Sequence, residues 1–229
     1  MGISKIKQLS RHIEEKANMK QDIYLNTLEA FNLLKKETSF VIKDIRNNMA
    51  NRKRVIPLEF TDRGDFEFQL TFAGDVLLFY MHTNVFDLGM HHESSRTHYV
   101  RTDPERSFCG IIHIYNFLAD SFKYKRMNDS GILIGRIFVN KEKHFFIEGK
   151  REMNQAGISF AGDKVSTAKM RNILRQAILC TVNFDLPSPR FEQVQEVNMY
   201  EFETVASERR MKTSKRLGFK FQAEDGKIL

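Results

Sequence analysis

The chain has 229 residues, with 36 Lys or Arg against 29 Asp or Glu and a formal charge of +7. Hydrophobic residues make up 41% and charged residues 28%, which excludes a disordered chain and suits one large domain or two small ones with an adequate core. The longest purely apolar run, Val76 to Met81, is far short of the roughly 18 residues of a spanning helix, which excludes a helical transmembrane protein.

The N-terminus is charged and lacks an apolar core region, so no secretory signal is expected. Residues 3–50 read as helix, because neither Gly nor Pro interrupts them. Tyr24, Leu28, Phe31, Lys35, Thr38, Ile42, Ile45 and Met49 recur at steps of four and three, a coiled-coil-like seam that Lys35 and Thr38 weaken. Ile23, Ala30, Leu34 and Val41 widen that face, and its breadth predicts a homo-oligomer formed through the helix. Ile6, Leu9 and Ile13 begin the same pattern, but the polar stretch Glu14 to Gln21 predicts a break or an exposed, fraying first segment.

From Pro57 the period changes to two. Phe66, Phe68, Leu70 and Phe72 alternate with polar residues and predict a strand, Ala73-Gly74-Asp75 a tight turn, and Val76 to Met81 a strand buried on both sides. Further strands are expected at His98–Arg101 (a short edge), Phe108–Tyr115, Ile132–Val139 and His144–Glu148, with a short helix over Phe117–Phe122. Residues 163–183 return to helical spacing, with Asp163 or Ser166 as N-cap. The expected fold is α+β. A central, mainly antiparallel sheet is packed by the long N-terminal helical segment and a C-terminal helix. Residues 1–54 form the helical segment, 55–186 the α+β core and 187–229 a C-terminal extension.

Cys109 and Cys180 each lie in an apolar stretch and read as buried thiols of a reduced, cytoplasmic protein. Charge is uneven: residues 1–54 carry 12 basic and 6 acidic side chains, 55–163 carry 12 and 15, and 164–229 carry 12 and 8. Two clusters concentrate the excess, Arg52-Lys53-Arg54 and Arg209, Arg210, Lys212, Lys215 and Arg216. Clustered cations release counterions on binding phosphates, so these are the candidate nucleic-acid-binding residues.

His82, His91, His92, His98 and His113 fall close together without a metal-ligand spacing and read as structural or polar residues. Gly157 and Gly162 have the spacing of a phosphate loop, but Asp163 stands where its lysine belongs. Neither a nucleophile elbow nor a supported cysteine nucleophile occurs. Glu148-Gly-Lys150 follows the apolar Phe145-Phe-Ile147, with Asp129 upstream and a hairpin between. Over about 50 residues this resembles the PD-(D/E)xK nuclease superfamily, with Asn128 where that family has Pro. The resemblance implies that Asp129 and Glu148 hold Mg²⁺ and that Lys150 completes the catalytic set. By elimination, the chain reads first as a soluble cytoplasmic binding or regulatory protein. A Mg²⁺-dependent nuclease and a basic nucleic-acid-binding protein are the alternatives, and Mg²⁺ is expected as cofactor only for the nuclease.

Overall fold

A helix of 48 residues, α1 (Gly2–Met49), is followed by β1 (Leu58–Asp62), β2 (Glu67–Phe72) and β3 (Asp75–Asp87). Next come α2 (His98–Thr102), β4 (Phe108–Leu118), α3 (Ala119–Lys123), β5 (Ile132–Asn140) and β6 (Phe145–Gly149). The helices α4 (Arg151–Asn154), α5 (Thr167–Val182) and α6 (Phe191–Val194) end the series. The structure, a computed structural model, describes residues 2–50, 56–127, 129–185, 188, 190–196 and 199.

The six strands form one sheet in the order β1-β2-β3-β4-β5-β6, each antiparallel to the next. Short connections dictate this meander. Between β2 and β3, Ala73 and Gly74 both take positive φ (49° and 91°), as a two-residue hairpin turn requires. The fold is α+β, as expected, and no described helix is long and apolar enough to cross a membrane.

One face of the sheet carries the main core. Phe68 and Leu70 of β2, Leu77, Phe79 and Met81 of β3, Ile112 and Ile114 of β4, and Ile137 and Val139 of β5 are buried with residues of α1 and α5. Phe68 stacks on Phe79 at 4.5 Å and meets Phe31 of α1 at 5.2 Å, so aromatic contacts tie the helix to the sheet.

Both apolar stripes of α1 are used within the chain. Ile23, Ala30, Phe31, Leu34, Val41 and Ile42 are buried against the sheet and α5. Of the two polar seam positions, Lys35 ties the helix to the β1–β2 turn, and Thr38 satisfies its hydroxyl within the helix. Thr38 returns its hydroxyl to the Leu34 carbonyl at 2.8 Å, and Lys35 reaches Asp62 at 2.6 Å and the Gly64 carbonyl at 3.0 Å. The apolar width that suggested a second copy is thus covered by the chain's own sheet. At 1.5 Å per residue α1 is about 72 Å long, and it outruns the sheet. Residues 5–15 are all exposed, and Met19 is the first buried residue.

Three local expectations are corrected. The break is not found, since α1 continues through Glu14–Gln21, while the alternative of an exposed first segment agrees with the exposure of residues 5–15. His98–Arg101 is helical: Arg101 N donates to the Thr97 carbonyl at 3.1 Å and Asp103 N to that of Val100 at 3.1 Å. A run of four residues is too short for its period to decide. β1, with only five residues, was not anticipated.

Candidate binding face

The second face of the sheet is covered at both ends: Phe122 of α3 meets Phe117 at 5.4 Å beside the buried Val76 at one, and α2 lies over the other. There Val100 of α2 packs with Cys109, Ile111, Phe138, Phe146 and Phe160. A polar network fixes this cover. The Tyr99 hydroxyl donates to Glu142 at 2.7 Å, Arg106 donates to Glu142 at 3.0 Å, and Lys141 pairs with Asp103 at 2.9 Å. Burial pushes the Tyr99 phenol and the Cys109 thiol up, so neither ionises near neutrality.

Beyond that cover the register builds a row across the sheet. Glu67 of β2 lies opposite Tyr80 of β3, Tyr80 opposite His113 of β4, His113 opposite Arg136 of β5, and Arg136 opposite Glu148 of β6. Period-two alternation puts the next row, Gln69, Leu78, Tyr115 and Leu133, on the same face. Tyr80 is 36% exposed and Leu133 40%, while Leu78, His82, His113 and Tyr115 are half-buried. The helices α1 and α5 lie on the other face.

The rings form a continuous plate. Tyr80 and His113 are 6.2 Å apart and 19° from parallel, and His113 and Tyr115 are 5.8 Å apart and 26° from parallel. His82 extends the line, 6.1 Å from Tyr80 and 4.8 Å from Phe86. Burial, then the charge of Arg136 and of His82, holds the His113 imidazole below its ordinary pKa. Its Nδ1 is enclosed and has no hydrogen-bond partner among the described residues, which suits a neutral ring rather than an imidazolium. Arginines bracket the plate. Arg136 pairs with Glu148 on one side, and Arg63 pairs with Glu67 on the other and lies 5.5 Å from the Phe122 ring.

The residues of the nuclease resemblance are held apart. Asp129 accepts from Ser121 at 2.5 Å and from Arg126 at 2.6 Å. Glu148 accepts from His92 at 2.5 Å and from Arg136. Ile132, three residues after Asp129, pairs with Asn116, whereas Glu148 pairs with Arg136, about 13 Å further along β5. Lys150 leaves the strand at the start of α4, and its ammonium sits 4.7 Å from the Phe184 ring rather than beside Glu148. Gly149 marks that departure: a Cβ there would lie 2.6 Å from the Ile134 carbonyl oxygen and 2.8 Å from Met153 Cβ. Close packing of strand and helix explains this glycine. Among the described residues no group of three His, Cys, Asp or Glu side chains converges as metal ligands.

Beside Glu148 a cleft of about 340 Å³ is lined by His91, His92, Glu93, Ser94, Phe146 and Glu148, with Ile147. Its imidazole has no lone pair to spare. His92 Nδ1 accepts from Ser94 N at 3.1 Å, so Nε2 carries the proton given to Glu148. Burial raises the Glu148 carboxyl, but the hydrogen bonds from His92 and Arg136 outweigh it and hold the group below its ordinary range. The pair latches the 88–97 segment to the sheet. The glycine loop is likewise closed by its own carboxylate, since Asp163 accepts from Ser159 N at 2.7 Å and pairs with Lys169 at 2.9 Å.

The candidate phosphate contacts Arg52, Lys53, Arg54, Arg209, Arg210, Lys212, Lys215 and Arg216 lie outside the described residues. Tyr80 and Tyr115 were not singled out from sequence, and His113 only as one of the clustered histidines read as structural or polar. The available signal was His113, Tyr115 and Phe117 at alternate positions against Ile112 and Ile114, a strand with one aliphatic and one aromatic face. Compared with known proteins, the chain matches no family model, no curated protein and no solved structure.

Proposed function

We propose that the protein is a non-catalytic binding or regulatory protein that engages its ligand through the open rows of the sheet. The observation that carries this reading is the row of Leu78, Tyr80, His113, Tyr115 and Leu133, partly open to solvent and backed by a packed core on the other face. Contiguous exposed aromatic surface on a rigid sheet serves recognition better than solubility. The carboxylates with the chemistry for catalysis, Asp129 and Glu148, are each held by an arginine. The test has two arms. Single- and double-stranded DNA and RNA are incubated with the protein with and without Mg²⁺, and isotopically labelled protein is titrated with peptides, nucleosides and oligosaccharides. The expected results are intact nucleic acid and ligand-induced amide shifts confined to β3, β4 and β5. Mg²⁺-dependent cleavage, or shifts that bypass these strands, overturns the reading.

A second observation supports a homo-oligomer formed through the free end of α1. Ile6, Leu9 and Ile13 are 59–66% exposed and follow a three-four step, the seam of a short coiled coil with a second copy. Light scattering at micromolar concentration is expected to give twice the 26.9 kDa chain mass, and changing the three residues to Ser to give the monomer. A wild-type monomer defeats this assignment.

A further inference from the structure

We infer that the open rows of the sheet bind single-stranded nucleic acid, with bases stacking on Tyr80, His113 and Tyr115 and the phosphodiester backbone passing Arg136 and Arg63. The inference rests on the binding reading above and names its partner.

Three observations converge on this chemistry. The first is shape: the Tyr80 and Tyr115 rings flank His113 at 6.2 and 5.8 Å, 19° and 26° from parallel to it, on strands whose spacing the hydrogen-bond ladder fixes. Bases of a single strand offer π-faces to such a plate, whereas a duplex keeps its faces stacked inside. The second is ring chemistry. His113 is flanked by tyrosines beside Arg136, where a neutral imidazole is favoured, so the middle of the row offers an uncharged aromatic ring. The third is charge. Arg136 and Arg63 sit at opposite ends of the row, with side chains 38% and 42% exposed. Each guanidinium carries five N–H donors, more than one glutamate accepts. An oligosaccharide would use the rings and accept hydrogen bonds from the two arginines, but it offers them no charge to pair with. A peptide strand would seek an unpaired sheet edge, and these rows lie on central strands.

Fluorescence anisotropy with labelled oligonucleotides of about 12 residues, DNA and RNA, tests the inference on the full chain. Single strands are expected to bind more tightly than the matching duplex. Tyr80→Ala and Tyr115→Ala are each expected to weaken binding by about fivefold or more. Tyr80→Phe and Tyr115→Phe are expected to retain wild-type affinity. The dependence on salt is expected to stay unchanged in all four, because no cation is lost. Leu133→Glu guards against a folding artefact. It lies at an exposed position of the same row and is expected to weaken binding through charge repulsion while leaving the melting curve in place.

Alanine variants that bind like wild type would move the nucleic acid off the sheet and overturn the inference, as would preference for the duplex. Absence of binding to any oligonucleotide at about 100 µM and low salt overturns it too. The broader reading then stands or falls separately. Amide shifts on β3–β5 with a peptide or oligosaccharide would preserve it, and shifts elsewhere would remove both.

Discussion

Gly110→Ala is expected to destabilise the protein by about 1–3 kcal/mol, at the upper end of what overpacking one methyl costs. Gly110 lies in β4 on the core face, where α1 crosses the sheet. A Cβ built there would stand 2.2 Å from Thr27 Oγ1 and 2.9 Å from Thr27 Cβ. Thr27 cannot swing away, because its hydroxyl donates to the Ile23 carbonyl at 2.7 Å and its side chain is fully buried. The helix itself must shift. Moving it disturbs Phe31 against Phe68 at one end and the Asn26 amide, which donates to the Lys141 carbonyl at 2.8 Å, at the other. Urea unfolding of Gly110→Ala, Thr27→Ala and the double variant gives the coupling. The double variant is expected to recover part of the loss, since two of the three closest atoms are gone. A single Gly110→Ala change within about 0.5 kcal/mol of wild type would refute the account.

This contact also shows why some of the fold was legible in the sequence and some was not. Hydrophobic period carries long-range information about which face is inside, and it sufficed for α1, β2, β4, β5, β6 and α5. It says nothing about which helix lies over which strand. Gly110 and Thr27 are 83 positions apart, and only the packed structure pairs them. The same limit affected the seam of α1. Its apolar residues were read correctly as a broad face, but the sheet that covers it is a tertiary fact, so the surplus was assigned to a second copy. Lys35 and Thr38 looked like flaws because their partners, Asp62 and the Leu34 carbonyl, are invisible to a period count.

The candidate site suffered from the converse problem. A spacing match across a hairpin drew Asp129, Glu148 and Lys150 together on paper, and the hairpin is there. What separates them is register. Glu148 sits opposite Arg136, and the strand ends at Gly149 before Lys150 can continue the alternation. A cross-strand arginine cannot be foreseen from the tripeptide, yet it decides the chemistry by neutralising the carboxylate. The aromatic plate was recoverable in principle. His113, Tyr115 and Phe117 alternate with isoleucines, but Val76 to Met81 read as buried on both sides, which hid Tyr80 as the neighbour of His113.

Acid is expected to unfold the protein in two stages, because two kinds of group bind protons more readily in the unfolded chain. The first is His113. Burial, then Arg136 and His82, lowers its folded pKa beneath the ordinary 6.5. Below that value the unfolded chain takes up a proton that the native imidazole refuses. Its share of the stability is therefore intact above about pH 6.5 and declines as pH falls from there towards the folded pKa. Tyr80, Tyr115, His82 and Arg136 surround the ring, and a charge on it would meet two basic neighbours. The second stage belongs to carboxylates. Lys141 lowers Asp103, and the Ser159 amide and then Lys169 lower Asp163. For Glu142 and Glu148 burial works upward, but Tyr99 with Arg106, and His92 with Arg136, outweigh it. These groups stabilise fully above their unfolded values of 3.8 and 4.5, and their contribution is lost as pH falls through the lowered folded values. The second stage is the larger, since five carboxylates, with Asp62 lowered by Lys35, take part against one imidazole. Urea midpoints measured from pH 8 to pH 3 are expected to show a shallow decline from about 6.5 and a steep one below about 4.5. His113→Phe is expected to remove the shallow stage and leave the steep one, whereas Glu148→Gln shortens the steep stage alone. A shallow stage that survives in His113→Phe would assign it to another group and remove the neutral imidazole from the centre of the plate.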